Sequence, residues 1–299
     1  MILFDDRWIG AHGIGRFAKE VMKRLPQVLP VKGPLPPLHS LNPLYLSWLI
    51  KKTKPSVFYT PGFNPPLYSS SPFVFTIHDL NHIQFDPNSS AFKRAYYSLI
   101  LKPACHRAFK VITVSEFSRR CIIEWSNAPE HKVINVGNGT GAEYCPDGES
   151  YTPGYPYVFW VGNCKPHKNL PRLLEAFLLS GAKNNVKLVL AGELDKSTMN
   201  LVKKRGIEND VVFAGLIPET KLPSYYRGAE ALVFPSLYEG FGLPVLEAMA
   251  CGTAVVTSNS TALPEVAGYA CLLVAPKDAN DIAGAINNII ENSTLRKRL

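Results

Sequence analysis

Glu239-Gly240-Phe241-Gly242-Leu243-Pro244-Val245-Leu246-Glu247 sets two carboxylates eight positions apart, with a glycine–aromatic–glycine turn and then an apolar run between them. Pro244 suits the first turn of a helix, where its missing N–H has no partner to lose and its φ is already helical. Gly252 suits the position just past the helix end. Glu239 therefore falls on the loop entering a short buried helix over 244–251, and Glu247 about one turn inside it. The backbone N–H groups of Gly242 and Leu243 point out of the helix start, where the dipole and unpaired donors favour an anion or a polyhydroxyl ligand. The two glutamates add acceptors for hydroxyl groups. The ligand implied carries phosphate and hydroxyls together.

Around this stretch, short apolar runs alternate with helical patterns, the signature of parallel α/β architecture. Strands are expected at 157–161, 186–191, 211–214, 231–234, 254–257 and 271–274, and helices at 170–179, 197–205, 221–227, 244–251 and 279–291. That is a complete doubly wound domain, whose ligand belongs outside the carboxyl ends of its strands. The first half repeats the pattern, with strands at 1–4, 56–60, 73–78, 110–114 and 132–136 and helices at 15–25, 90–109 and 116–125. Proline-rich 26–43 has no period and reads as loop. Glycine, proline and polar residues dominate 136–155, the best linker, so the domains are read as 1–150 and 151–299.

Composition narrows the class. The 299 residues are 46% hydrophobic and 19% charged, ordinary for a soluble globular protein. Neither a secretion signal nor an apolar run of membrane-spanning length is apparent, so a cytoplasmic location is expected. Six scattered cysteines without a C-x-x-C pair read as reduced residues. The formal charge of +8 is uneven: residues 1–150 hold 17 Lys and Arg against 11 Asp and Glu, residues 151–299 hold 15 against 13. With no helix-turn-helix, zinc or RNA-binding aromatic signature, nucleic acid is not an expected partner. An anionic lipid surface or phosphorylated substrate fits the charge better. Lys51, Lys52, Lys93 and Arg94 are the first candidates for a peripheral contact with an inner membrane, on segments that also read as core-facing helices with a solvated basic side.

Several further stretches stand in a telling order: Gly13-Ile14-Gly15-Arg16-Phe17 after the first strand, His78-Asp79-Leu80, Thr113-Val114-Ser115-Glu116-Phe117-Ser118, Val161-Gly162-Asn163-Cys164-Lys165-Pro166-His167-Lys168-Asn169-Leu170, and Phe234-Pro235-Ser236. With the glutamate stretch they cover nearly the whole chain. Together they resemble the retaining glycosyltransferases of family 4, whose GT-B fold has two facing Rossmann-like, doubly wound domains with an interdomain cleft. The resemblance implies that Lys168, assisted by Lys165 or His167, binds the donor pyrophosphate; Asn163 stands where the family usually has an arginine. It places Glu247 on the nucleotide ribose, Glu239 on the transferred sugar, and Gly240, Phe241, Gly242 and Leu243 around the donor. His78 is implied beside the transferring sugar, and Gly13 and Gly15 in a loop approaching donor phosphates or acceptor.

His82 follows His78 by four positions, but no third ligand has convincing spacing, so neither metal nor other cofactor is expected. The glutamates are not read as a glycosidase acid–base pair. The resemblance implies transfer with retention, the leaving phosphate helping to deprotonate the acceptor. The texture, including Thr60-Pro61-Gly62-Phe63-Asn64-Pro65-Pro66, is most similar to bacterial mannosyltransferases of polysaccharide assembly. GDP-mannose is the first donor expected and UDP-hexoses the next, with a lipid-linked glycan expected as acceptor. The alternatives are a non-catalytic nucleotide-sugar-binding or partner subunit and a GT-B sugar-nucleotide epimerase. Leu295-Arg296-Lys297-Arg298-Leu299 resembles the run that precedes the family's crossover helices, which are absent from this sequence: a short member or a shortened chain is expected.

Overall fold

The computed structural model describes residues 1–10, 12–85 and 90–299, which form two compact units, Met1–Asn138 and Gly139–Leu299. Each unit carries one six-stranded parallel sheet. In the first, β1 (Ile2–Phe4), β2 (Val28–Pro30), β3 (Val57–Thr60), β4 (Phe73–Thr76), β5 (Lys110–Thr113) and β6 (Val133–Asn135) lie in the order β2-β1-β3-β4-β5-β6. In the second, β7 (Tyr157–Val161), β8 (Lys187–Ala191), β9 (Val211–Gly215), β10 (Ala231–Phe234), β11 (Val255–Ser258) and β12 (Leu272–Val274) lie in the order β12-β11-β10-β7-β8-β9. Strand order thus reverses between β1 and β3 in one sheet and between β7 and β10 in the other. A doubly wound sheet binds its ligands at the carboxyl side of such a point.

The strands are apolar at successive positions because helices cover both faces of a parallel sheet. Every residue of β10 and β11 is buried, as are four of the five in β7. Helix Leu170–Leu179 presents Leu173, Leu174 and Phe177 to this core, and helix Ala279–Glu291 presents Ile282, Ile286 and Ile289. A separate core in the first unit gathers Phe58, Phe75, Leu46, Ile50, Leu101 and Ile122.

Three features depart from the sequence expectation. The stretch 26–43 is not wholly loop: Val28–Pro30 pairs with β1 as an edge strand, where Pro30 is tolerated because one side has no partner. The helix expected over 90–109 is broken into Ala91–Tyr96, a π-turn at Tyr97–Leu101, and Lys102–Arg107. Pro103 cannot donate to the preceding turn, and the wider register accommodates that loss while burying both Tyr97 and Leu101. The units divide at Asn138/Gly139 rather than at 150/151. Residues just after that point pack with the second unit: Arg227 donates to the carbonyls of Cys145 (3.1 Å) and Glu149 (2.9 Å), and Tyr151 stacks on Tyr225 at 4.0 Å.

Asn169 begins helix Leu170–Leu179 with a left-handed backbone (φ 58°), a conformation asparagine tolerates better than most residues. Its buried Nδ2 donates to the carbonyls of Pro235 (2.9 Å) and Pro276 (2.6 Å), tying together the loops that follow β7, β10 and β12. Asn169→Ala orphans both carbonyls and strains the turn, so it should destabilise the second unit by about 2–4 kcal/mol. Urea unfolding followed by Trp160 fluorescence measures this, and a loss below about 1 kcal/mol would mean that water replaces the amide.

Candidate active site

At the switch point of the second sheet the chain leaving β7 meets the chain leaving β10. Lys168 closes the short turn Pro166–Lys168 after β7, and its Nζ lies 2.7 Å from Glu239 Oε1 on the loop after β10. Both side chains are mostly covered, at 14% and 13% exposed, so this ion pair is less screened than a surface pair. The ammonium also sits 4.9 Å from the Phe234 ring centroid. The backbone joins the loops as well: Leu237 N–H donates to the His167 carbonyl at 2.7 Å. Glu239 N–H donates to Thr261 Oγ1 at 3.2 Å, linking the loop after β11 to the same point.

Gly242 starts helix Leu243–Ala250 with φ 106° and ψ 51°, and a Cβ there would meet Leu263 Cδ2 at 2.5 Å. Both the backbone conformation and the space demand glycine. Among the described residues no side chain caps this helix, so its first-turn N–H donors are left to other partners. Gly240 is buried, and Phe241 and Leu243 are half-buried. Glu247 lies inside the helix as expected, but it is 2% exposed and accepts a hydrogen bond from the Tyr226 hydroxyl at 2.8 Å. Lys165 is exposed, and its backbone N–H donates to Asn163 Oδ1 at 3.2 Å, so the residue at the family's arginine position shapes the turn.

The first unit carries its own set of polar groups at the carboxyl ends of β1, β3 and β4. His78 follows β4, and its Nε2 lies 2.9 Å from the Pro61 carbonyl. Phe17 stands edge-on to the ring at 5.0 Å, and Ser118 Oγ donates to the His78 carbonyl at 3.0 Å. Burial pushes the His78 pKa below its ordinary value; the Pro61 carbonyl and Asp79 oppose that shift, and His12 adds to it. Gly13 and Gly15 are not in a turn before a helix: the helix begins at Gly13, because His12 Nδ1 accepts the Gly15 N–H at 3.0 Å as its cap. Gly15 is required by packing, since a Cβ there would lie 2.3 Å from the Gly10 carbonyl oxygen. Gly13 is exposed.

The structure therefore brings Lys168 and Glu239 into direct contact and places Glu247, buried, in the helix that follows the Glu239 loop. Asn169, Tyr226 and His12 were missed as supporting residues. A left-handed asparagine before Leu170-Pro171 had a local signal in the asparagine itself; neither Tyr225 nor Tyr226 announces which one reaches Glu247. Among the described residues, no group of three His, Cys, Asp or Glu side chains is placed to hold a metal ion, and no helix is long and apolar enough to cross a membrane.

Residues 149–299 match the family model of glycosyl transferases group 1, and residues 7–143 match that of Glycosyltransferase Family 4. The chain belongs to the group 1 glycosyl transferases. It is 30% identical over 271 residues to the O-antigen chain mannosyltransferase B of Escherichia coli, covering 86% of this chain and 71% of the relative. Among solved structures, the glycosyltransferase WaaG, involved in lipopolysaccharide biosynthesis, matches with a TM-score of 0.78 at 14% identity over 99% of this chain and 92% of that one. Anabaena Alr3699/HepE, solved in complex with UDP and glucose, matches at a TM-score of 0.74 and 19% identity over 99% and 91%. The two parallel sheets of the glycosyltransferase are those of the GT-B fold.

The depressed His78 pKa gives the glycosyltransferase a pH-dependent stability of definite sign. Its neutral ring contributes stability that is full above the ordinary value of 6.5 and lost as pH falls through the lower folded value. The stability advantage of wild type over His78→Gln should accordingly be largest at neutral pH and shrink on acidification. Paired thermal melts across that range test it; a pH-independent difference would show that His78 does not titrate with folding.

Proposed function

We propose that the protein transfers mannose from GDP-mannose, with retention of configuration, to a hydroxyl of a lipid-linked glycan during polysaccharide assembly. The observation that carries this reading is the Lys168–Glu239 ion pair at the β7/β10 switch point, beside the uncapped start of helix Leu243–Ala250. When the donor enters, its pyrophosphate takes Lys168 away from Glu239 and accepts the N–H groups at the helix start. Glu239 is then free to accept hydroxyls of the transferred sugar. Glu247 receives the ribose once its cover moves, and Lys165 adds a second cation to the phosphates. The bond from the anomeric carbon to the phosphate breaks and the bond to the acceptor oxygen forms on the same face. The acceptor proton leaves with the departing phosphate, and His78 contacts the transferring sugar. Fixed cations and backbone donors stabilise the leaving group, so no metal is required. The mannosyltransferase named above supports mannose as the sugar.

Lys168→Ala should weaken GDP binding ten- to a hundredfold, the cost of losing one charge-assisted contact of about 1.5–3 kcal/mol. Glu239→Gln should behave oppositely: it releases Lys168, so GDP binds at least as tightly, while mannosyl transfer collapses. Calorimetry and transfer assays in the presence of a chelator separate the two effects. Wild-type GDP affinity in Lys168→Ala, or activity that needs added magnesium or manganese, would overturn the reading.

The protein is also read as cytoplasmic and peripheral on the inner membrane. Helix Asn42–Thr53 buries Leu46 and Ile50 but leaves Leu44 (53%) and Trp48 (54%) exposed, with Lys52 Nζ 5.0 Å from the Trp48 ring. Phe92 (66% exposed) adjoins Lys93 and Arg94. Apolar side chains edged by cations suit an anionic headgroup layer, which attracts each basic residue by about 1 kcal/mol. Neutralising Lys51, Lys52, Lys93 and Arg94 should abolish salt-sensitive sedimentation with anionic vesicles and leave GDP binding intact. Equal binding to neutral vesicles, or none to either, would return these residues to an ordinary solvated face.

A further inference from the structure

Thr60-Pro61-Gly62-Phe63-Asn64 leaves β3 at the switch point of the first sheet, and only Phe63 among the five is more than marginally exposed. A buried turn must find partners for its polar groups inside the protein. Here they come from a charged network. The Asp5 carboxylate, fully buried at the end of β1, accepts from Arg7 Nε (2.6 Å) and Nη2 (2.8 Å), from Asn64 Nδ2 (3.0 Å) and from Thr60 Oγ1 (3.4 Å). Asn64 Oδ1 accepts in turn from Trp8 Nε1 (2.6 Å) and Thr60 Oγ1 (2.7 Å). Arg7 Nη1 continues to the Leu35 carbonyl (2.7 Å) and to Asn42 Oδ1 (2.9 Å). The Trp8 ring lies against Gly62, where a Cβ would come within 2.2 Å of it, and Tyr96 donates to the Phe63 carbonyl at 3.1 Å. The turn is fixed at both ends and in the middle. The Pro61 carbonyl of this turn faces an imidazole, 2.9 Å from His78 Nε2.

A carbonyl only accepts, so Nε2 carries the proton and the lone pair of the neutral ring is on Nδ1. Nδ1 has no hydrogen-bond partner among the described residues. Phe17, edge-on, and Ser118, on the backbone carbonyl, restrict the remaining freedom of His78. A buried ion pair is a poor way to gain stability, because desolvating two charges costs about as much as their attraction returns. What Asp5 and Arg7 provide that an apolar turn would not is direction: each hydrogen bond sets an angle as well as a distance.

We propose that Asp5, Arg7, Thr60 and Asn64 are positioning residues that aim the Pro61 carbonyl at His78, locking it as the Nε2–H tautomer with Nδ1 presented as an acceptor for a sugar hydroxyl. The hydroxyl partner rests on the glycosyl-transfer reading above; the tautomer does not. The test is nitrogen-detected NMR of histidine-labelled full-length protein without substrate, paired with transfer kinetics. In wild type His78 should appear as a single Nε2–H tautomer at neutral pH. Asn64→Ala, which removes the amide joining the turn to Asp5, should convert it to a tautomer mixture. It should also lower kcat by about ten- to a hundredfold while GDP affinity and donor KM stay put. Thr60→Val, nearly isosteric, should move both readouts the same way by less, and stands in if Asn64→Ala does not fold. A wild-type Nδ1–H tautomer, or variants that lose activity with the tautomer unchanged, would overturn the proposal. A tautomer that responds as expected in a protein that transfers no sugar would instead overturn the function assigned to His78 and leave the network in place.

Discussion

The amide of Asn169 sets the geometry at the carboxyl end of the second sheet. Strands in a parallel sheet all deliver their loops to one edge, and those loops have no ladder of their own to hold them. One buried side chain with two N–H groups bridges the carbonyls of Pro235 and Pro276, so three crossovers converge on a single point. Lys168 is the residue immediately before that point, and Glu239 lies four positions beyond Pro235. Their contact follows from the clamp. Without it, each loop would sample its own conformations and the ion pair would cost the entropy of ordering two long segments.

The first unit reaches the same end by a different route. There the loops after β1 and β3 are joined by a buried carboxylate–guanidinium pair and two amides, with no single residue acting as the clamp. A charged network is directional but expensive to bury, whereas one amide between two carbonyls is inexpensive and rigid. The difference matches what each unit must hold. Asn169 fixes backbone next to Lys168, which in the proposed function exchanges Glu239 for the donor pyrophosphate. The Asp5 network holds the turn whose Pro61 carbonyl lies 2.9 Å from His78 Nε2.

Much of this was legible in the sequence for reasons that can be named. The strands of the second sheet are continuous apolar runs bounded by glycine and polar residues, and both Tyr157–Val161 and Ala231–Phe234 have the bounds their composition dictates. The helix after Glu239 was readable from Pro244 and Gly252, although it starts one residue earlier because Gly242 takes the left-handed cap. Edge strand Val28–Pro30 was not readable: among the described residues it pairs with β1 alone, and nothing local favours a strand ending in proline. The interruption at Tyr97–Leu101 had a visible cause in Pro103, but an unbroken apolar periodicity masked it. Side-chain partners were the least legible. Residues bonded across 55 to 107 positions, such as Thr60 to Asp5 and Asn169 to the Pro276 carbonyl, leave no local pattern.

The Lys168–Glu239 pair also has a thermodynamic role before any donor arrives. Lys168 is a mostly covered positive charge, and alone it would be desolvated without compensation. Glu239 supplies that compensation in the free state, and in the proposed function it is the group that later accepts hydroxyls of the sugar. In the proposed function an incoming nucleoside diphosphate displaces that carboxylate, which lowers its apparent affinity. A donor that also carries a sugar recovers part of the loss, because the released carboxylate gains hydroxyl partners. In that reading the pair favours the intact donor over its spent nucleotide, a difference of affinities obtained by opposing the wrong ligand rather than by adding contacts to the right one.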